Sequence, residues 1–91
     1  VYRDQGQIQK AIDHYRTALR IKPDFAMANV SLALAYRKQG RNEEAIKSLK
    51  KAIESDPRFG NAYATLAQLY KELGRDDEAV GVYDSFLDEE T

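Results

Sequence analysis

Residues 23–56, PDFAMANVSLALAYRKQGRNEEAIKSLKKAIESD, and residues 57–90, PRFGNAYATLAQLYKELGRDDEAVGVYDSFLDEE, align without a gap and share ten identities. A fixed period of this kind decides an architecture before any single element is assigned, because each unit must bury its apolar face on its neighbours. The spacing of 34 extends upstream: Gly6, Gly40 and Gly74 obey it, as do Tyr2, Tyr36 and Tyr70, and Ala11, Ala45 and Ala79.

Each unit reads as two helices. From Pro23 to Gln39, Ala28, Leu32, Ala35 and Tyr36 recur at three and four, which lines one helical face. Pro23 suits a first turn, Gly40 supplies a left-handed stop, and Asn42 offers a cap for the next helix. Glu43 and Glu44 complement the positive end of that helix, and Ala45, Ile46, Leu49, Ala52 and Ile53 mark its buried face. The same grammar covers 57–74 and 76–90, while 7–22 reads as a lone second helix that follows a turn at Gly6 and the last turn of a first helix at Val1 and Tyr2. The Gly40–Asn42 link is too short for anything but antiparallel helices in contact. Ala33, Ala45, Ala52, Ala67 and Ala79 allow close approach, and Leu32, Tyr36, Leu49, Leu66, Tyr70 and Tyr83 fill the remaining volume.

The composition agrees with one small domain: 91 residues, 43% apolar and 32% charged. No apolar run approaches the roughly 20 residues that span a bilayer, so no membrane partner is expected. There is no cysteine and a single histidine, His14, which argues against a zinc site, thiolate chemistry or a histidine-based triad. The net charge of −1 hides an asymmetry: residues 1–58 hold twelve Lys or Arg and seven Asp or Glu, whereas residues 59–91 hold two and eight. The basic residues are interleaved with acids, which does not suit a nucleic-acid footprint.

The chain resembles the tetratricopeptide repeat family over essentially its whole length. Leu32, Ala33, Tyr36, Gly40, Ala45, Leu49, Ala52 and Pro57 carry the motif in one unit, and Leu66, Ala67, Tyr70, Gly74, Ala79 and Tyr83 in the next. The first unit keeps Tyr2, Gly6, Ala11, Tyr15, Ala18 and Pro23. Asn29 stands where the family places a large aromatic, which Tyr63 restores one unit later, while Phe86 replaces a small residue and Thr91 a proline. The expected fold is an all-α, right-handed superhelical array of antiparallel helix hairpins in a single domain, 1–91: a partial first repeat (1–22), a second unit (23–56) and a third (57–91).

Catalytic constellations are missing. The glycines follow the repeat and form no phosphate loop, Ser31, Ser48, Ser55 and Ser85 lack a nucleophile elbow, and His14 reads as solvent-facing. The acids at 43–44 and 76–78 are helix-start charges. Those at 88–90 sit at a helix end that disfavours them, so fraying is expected over Asp88–Thr91. The spacing of Tyr2, Tyr36 and Tyr70 makes them core residues. No enzyme activity, cofactor or metal is therefore expected.

The remaining resource is the concave face that the family builds from the first helix of each unit. Its outward positions are Met27, Val30, Leu34, Arg37 and Lys38, then Asn61, Ala64, Gln68, Lys71 and Glu72, with Phe25 and Phe59 at the unit junctions. Met27, Val30 and Leu34 form an apolar stripe that Arg37 and Lys38 extend as a cationic end, suited to a partner segment with apolar anchors and a carboxylate. The same stripe also suits packing against a neighbouring repeat or domain. Two recognition modes of the wider family are absent. Val30, Leu34 and Thr65, or in another frame Ser31, Asn61 and Thr65, replace the clamp that holds acidic chaperone tails, and Ser31 and Thr65 replace the asparagine ladder of the O-GlcNAc transferase repeats.

The expected function is a non-catalytic scaffold for a protein or peptide segment. A recruiting arm of a larger enzyme and a self-assembling structural unit are the alternatives. Ala11, Tyr15 and Ala18 at the truncated N-terminal end are expected to form an exposed apolar strip through which copies associate, aided by the charge asymmetry. The cytoplasm is the default compartment, and the lack of cysteine suits the periplasm equally.

Overall fold

The computed structural model describes the backbone of residues 2–90 and the side chains of residues 6–87. Five helices, α1 (Tyr2–Ile21), α2 (Ala26–Lys38), α3 (Asn42–Ser55), α4 (Gly60–Glu72) and α5 (Asp76–Glu90), follow one another with no strand among the described residues. Helices α2 and α3 form one hairpin and α4 and α5 another. Helix α1 packs on α2, α3 on α4, and α2 also touches α4, which gives a slab of 42 × 32 × 15 Å.

Gly40 (φ 77°) and Gly74 (φ 76°) end the first helix of each hairpin in the left-handed region. Around Gly40 the Gly40 amide donates to the Arg37 carbonyl at 3.0 Å and the Arg41 amide to that of Tyr36 at 2.9 Å. Gly74 and Arg75 repeat the pattern on Lys71 and Tyr70 at 3.1 and 2.8 Å. These paired bonds satisfy carbonyls that a helix end would otherwise leave bare.

Gly6 behaves differently from the expected turn. Helix α1 runs through it without a positive φ, so residues 7–21 are part of one longer helix that ends one residue short of the expected 22. Among the described residues no first helix folds back on α1, and continuing the backbone ladder outweighs the roughly 1 kcal/mol by which glycine disfavours a helix interior. Other boundaries also move. Pro23 and Asp24 lie in a turn closed by the Phe25 amide donating to the Lys22 carbonyl at 3.2 Å, so α2 starts at Ala26 rather than Pro23. Proline favours the second position of such a turn. Asn42 is the first residue of α3, not its cap; Arg41 holds the cap position with no side-chain capping bond.

The core follows the repeat. Ala33, Ala45, Ala52, Ala67 and Ala79 are buried, as are Leu32, Tyr36, Leu49, Leu66 and Tyr70. Tyr83 departs from its expected core role at 52% exposed, with Val80 and Leu87 exposed beside it. Its repeat equivalent, Leu49, is sealed because α4 packs on α3, and among the described residues no helix other than α4 packs on α5. The side chain of Tyr2 falls outside the residues whose side chains are described; the fraying expected over Asp88–Thr91 is not seen up to Glu90, where α5 ends, and Thr91 lies outside the described residues.

Candidate functional site

The outward positions of α2 and α4 divide into groups of different character. Met27 and Leu34, seven residues apart, present apolar side chains to solvent at 47% and 39% exposure. Val30 between them is only 2% exposed and belongs to the same buried cluster as Ile12, so it does not join the exposed stripe as expected. The reason is local: α1 packs on α2, and a β-branched residue at that position fills the contact.

Phe25 and Met27 line a groove of about 400 Å3 at the unit junction, together with Lys22, Asp56 and Phe59. The Lys22 ammonium sits 5.4 Å from the Phe25 ring centre. Leu34 and Lys38 line a different groove of about 360 Å3, shared with Ile8, Ala11 and Tyr15 of α1 and Ala35. The strip expected at Ala11, Tyr15 and Ala18 is therefore half-buried, with Ala11 and Tyr15 forming a wall of this groove. His14 is exposed, its ring edge-on to Tyr15 at 5.8 Å.

The expected cationic end is reduced by one charge. Arg37 makes a two-point ion pair with Glu72 of α4, its Nε donating to Oε1 at 3.1 Å and its terminal nitrogen to Oε2. The Gln68 amide donates to the same carboxylate at 3.4 Å. The hydrogen bond from Arg37, then that from Gln68, holds the Glu72 carboxyl below the usual glutamate range. Lys38 and Lys71 remain exposed without an ion pair among the described residues, and Asn61 and Ala64 are exposed on α4. The Asn61 side-chain oxygen accepts from the Thr65 hydroxyl at 3.1 Å, which leaves its NH2 group to a partner.

Arginines at repeat-equivalent positions tie the hairpins together, a role that counting charges along the sequence misses. Arg41 lies over the Tyr36 ring at 4.5 Å and binds Glu44 through both ends of its fork, the Nε at 2.9 Å. Arg75 lies over Tyr70 at 4.9 Å, binds Glu78 at 2.6 and 2.8 Å, and reaches back to Glu43 of α3 at 3.0 Å. Hydrogen bonds from these arginines hold the Glu44 and Glu78 carboxyls below their usual range. The signal was present in the identities Arg41/Arg75 and Glu44/Glu78 at a fixed spacing of three. Among the described residues no group of His, Cys, Asp or Glu side chains is placed to hold a metal ion, and no helix is long and apolar enough to cross a membrane.

Comparisons with known proteins agree with this geometry. A family model described as TPR repeat matches residues 1–40 and 33–74, and one described as tetratricopeptide repeat matches residues 62–91. Two crystal structures of MamA superpose with a TM-score of 0.83 at 32% identity, covering 92% and 91% of this chain and 49% and 45% of theirs. A MamA mutant superposes with a TM-score of 0.77 at 26% identity, covering 98% of this chain and 50% of its own. The chain thus spans about half the length of these structures. No curated protein matches the sequence.

Proposed function

The chain belongs to the tetratricopeptide repeat family, and from that premise we propose that it is a scaffold whose α2–α4 face binds a peptide or helical segment of a partner protein. Repeats of this family generally mediate protein–protein interaction and are typically non-catalytic. The observation that carries the finer reading is the pair of exposed apolar side chains Met27 and Leu34 on one helix, each at the lip of a groove, with the unpaired ammonium groups of Lys38 and Lys71 nearby in sequence register. Apolar anchors supply affinity and the cations orient an acidic group of the partner. The helices hold this surface in place, so little ordering entropy opposes binding. Capture of partners by the wild-type chain and by a Met27→Glu, Leu34→Glu variant tests it. Partners are lost while the helical circular dichroism is kept; undiminished capture would move recognition to another face.

A second reading rests on the two ends of the array. The groove of Ile8, Ala11, Tyr15 and Leu34 lies at one end, and Val80, Tyr83 and Leu87 form an exposed stripe on α5 at the other. Copies stacking end to end would cover both, with the basic upstream part against the acidic downstream part. Sedimentation at rising concentration and low salt tests this; a monomer throughout refutes it.

A further inference from the structure

The face built by the second helices carries another groove, and the repeat supplies an internal comparison for it. Between α1 and α3 lies a space of about 490 Å3, with Arg16 and Arg20 on one wall and Arg41, Lys47 and Lys51 on the other. Moving these residues on by 34 leads to the groove between α3 and α5, about 280 Å3 and lined by Lys50, Tyr63, Gly81 and Ser85. There Arg20, Lys47 and Lys51 have become Glu54, Gly81 and Ser85, while Lys50 and Arg75 keep the charges of Arg16 and Arg41, so three of the five wall cations are particular to the first groove.

The floors differ as well. In the later groove Tyr63 fills the floor, its ring 5.0 Å from that of Phe86 and its hydroxyl donating to the Pro57 carbonyl at 2.7 Å. In the earlier groove the equivalent residue is Asn29, 2% exposed, beside the buried Ser48. Neither side chain hydrogen-bonds another described residue, yet neither is sealed from the groove, so a buried amide and hydroxyl face the open space. The i, i+4 pairs Arg16/Arg20 and Lys47/Lys51 repel. Among the described residues the only carboxylate lining the groove, Glu44, is already bound by Arg41. A ligand that brings negative charge and a ring to this place relieves the repulsion and offers the Asn29 amide and the Ser48 hydroxyl a hydrogen-bond partner.

We propose that the α1–α3 groove is a second binding site, taking a short acidic segment of a partner protein that inserts one tyrosine side chain over Asn29 as Tyr63 does within the chain. Its carboxylates lie between the cations of the two walls, its ring rests on Leu19 and Leu32, and its hydroxyl meets the Asn29 amide. A stacked nucleic-acid base is less suited, because the face of Tyr36 is already covered by Arg41. This site is separate from the α2–α4 face proposed above.

Fluorescence anisotropy with a labelled peptide of Glu and Asp around one central Tyr tests it. Asn29→Tyr introduces the residue that the next repeat already carries, so the fold is kept, and affinity falls about tenfold or more. Replacing the peptide's Tyr by Ala weakens binding to the wild type by a similar factor and adds nothing in the Asn29→Tyr background. Arg20→Glu with Lys51→Ser weakens binding and flattens its salt dependence, which keeps the test valid should Asn29→Tyr lower the melting temperature. Met27→Glu with Leu34→Glu leaves this affinity unchanged, which separates the site from the other face. Equal affinity of Asn29→Tyr, equal affinity of the Ala peptide, or displacement of the peptide by duplex DNA at lower concentration would overturn the proposal. Self-association of the chain that Asn29→Tyr abolishes would overturn it in favour of a second copy.

Discussion

Gly6, Gly40 and Gly74 occupy one repeat position, yet replacing them by alanine should not have one effect. At Gly40 and Gly74 a Cβ would meet no atom within 4 Å, so any cost comes from the backbone alone, at φ 77° and 76°. An L-residue in that region costs about 1–2 kcal/mol. At Gly6 a Cβ also meets nothing, but the residue lies inside helix α1, where alanine is favoured by about 1 kcal/mol. For a domain of this size each kcal/mol shifts the melting temperature by about 4–8 °C. Thermal unfolding followed by circular dichroism should therefore show Gly40→Ala and Gly74→Ala melting several degrees lower and Gly6→Ala several degrees higher than the wild type. A drop at Gly6 as large as that at Gly40 would mean that the chain turns there, and the continuous α1 would be wrong.

Repeat equivalence yields a second contrast: Leu49→Ala removes a sealed side chain and costs about 2–5 kcal/mol, whereas Tyr83→Ser at the same register changes stability by less than about 1 kcal/mol, as urea titration of each will measure. Val30→Glu buries a charge in the core and should unfold the chain, while Leu34→Glu should leave the helical signal intact; equal loss in both would restore Val30 to the exposed face. The carboxyls of Glu44, Glu72 and Glu78 titrate below their usual values because arginines hydrogen-bond them. Their depressed folded values give stability that is fully present above the ordinary glutamate pKa and lost as pH falls through it towards the folded values. The loss should shrink in high salt because these groups are exposed, and a melting temperature that rises on acidification would contradict the pairing.

Much of the fold was legible because the repeat says the same thing twice. Ala33 and Ala67, Leu32 and Leu66, and Tyr36 and Tyr70 could each be placed in the core from spacing alone, since burial in one unit implies burial in the next. Equivalence fails where the neighbour differs. Gly6 has no hairpin partner among the described residues and becomes helical, and among the described residues no further helix packs over Tyr83, which stays exposed. Val30 lay beyond a face-counting argument because the packing of α1 against α2, not the periodicity of α2, decides its burial. Arg37 read as a free cation since its partner, Glu72, lies 35 residues away on another helix. Asn29 was visible as a departure from the family pattern, but the groove it opens required the neighbouring helices.

The most direct test of the interaction-scaffold reading is a map of backbone amide NMR shifts as a captured partner segment is added to the labelled chain. Perturbations should centre on Met27, Leu34 and Lys38 of α2 and on Gln68 and Lys71 of α4, and should be absent in the Met27→Glu, Leu34→Glu variant. Perturbations confined to the exposed surfaces of α3 and α5, with the α2–α4 face unmoved, would contradict it.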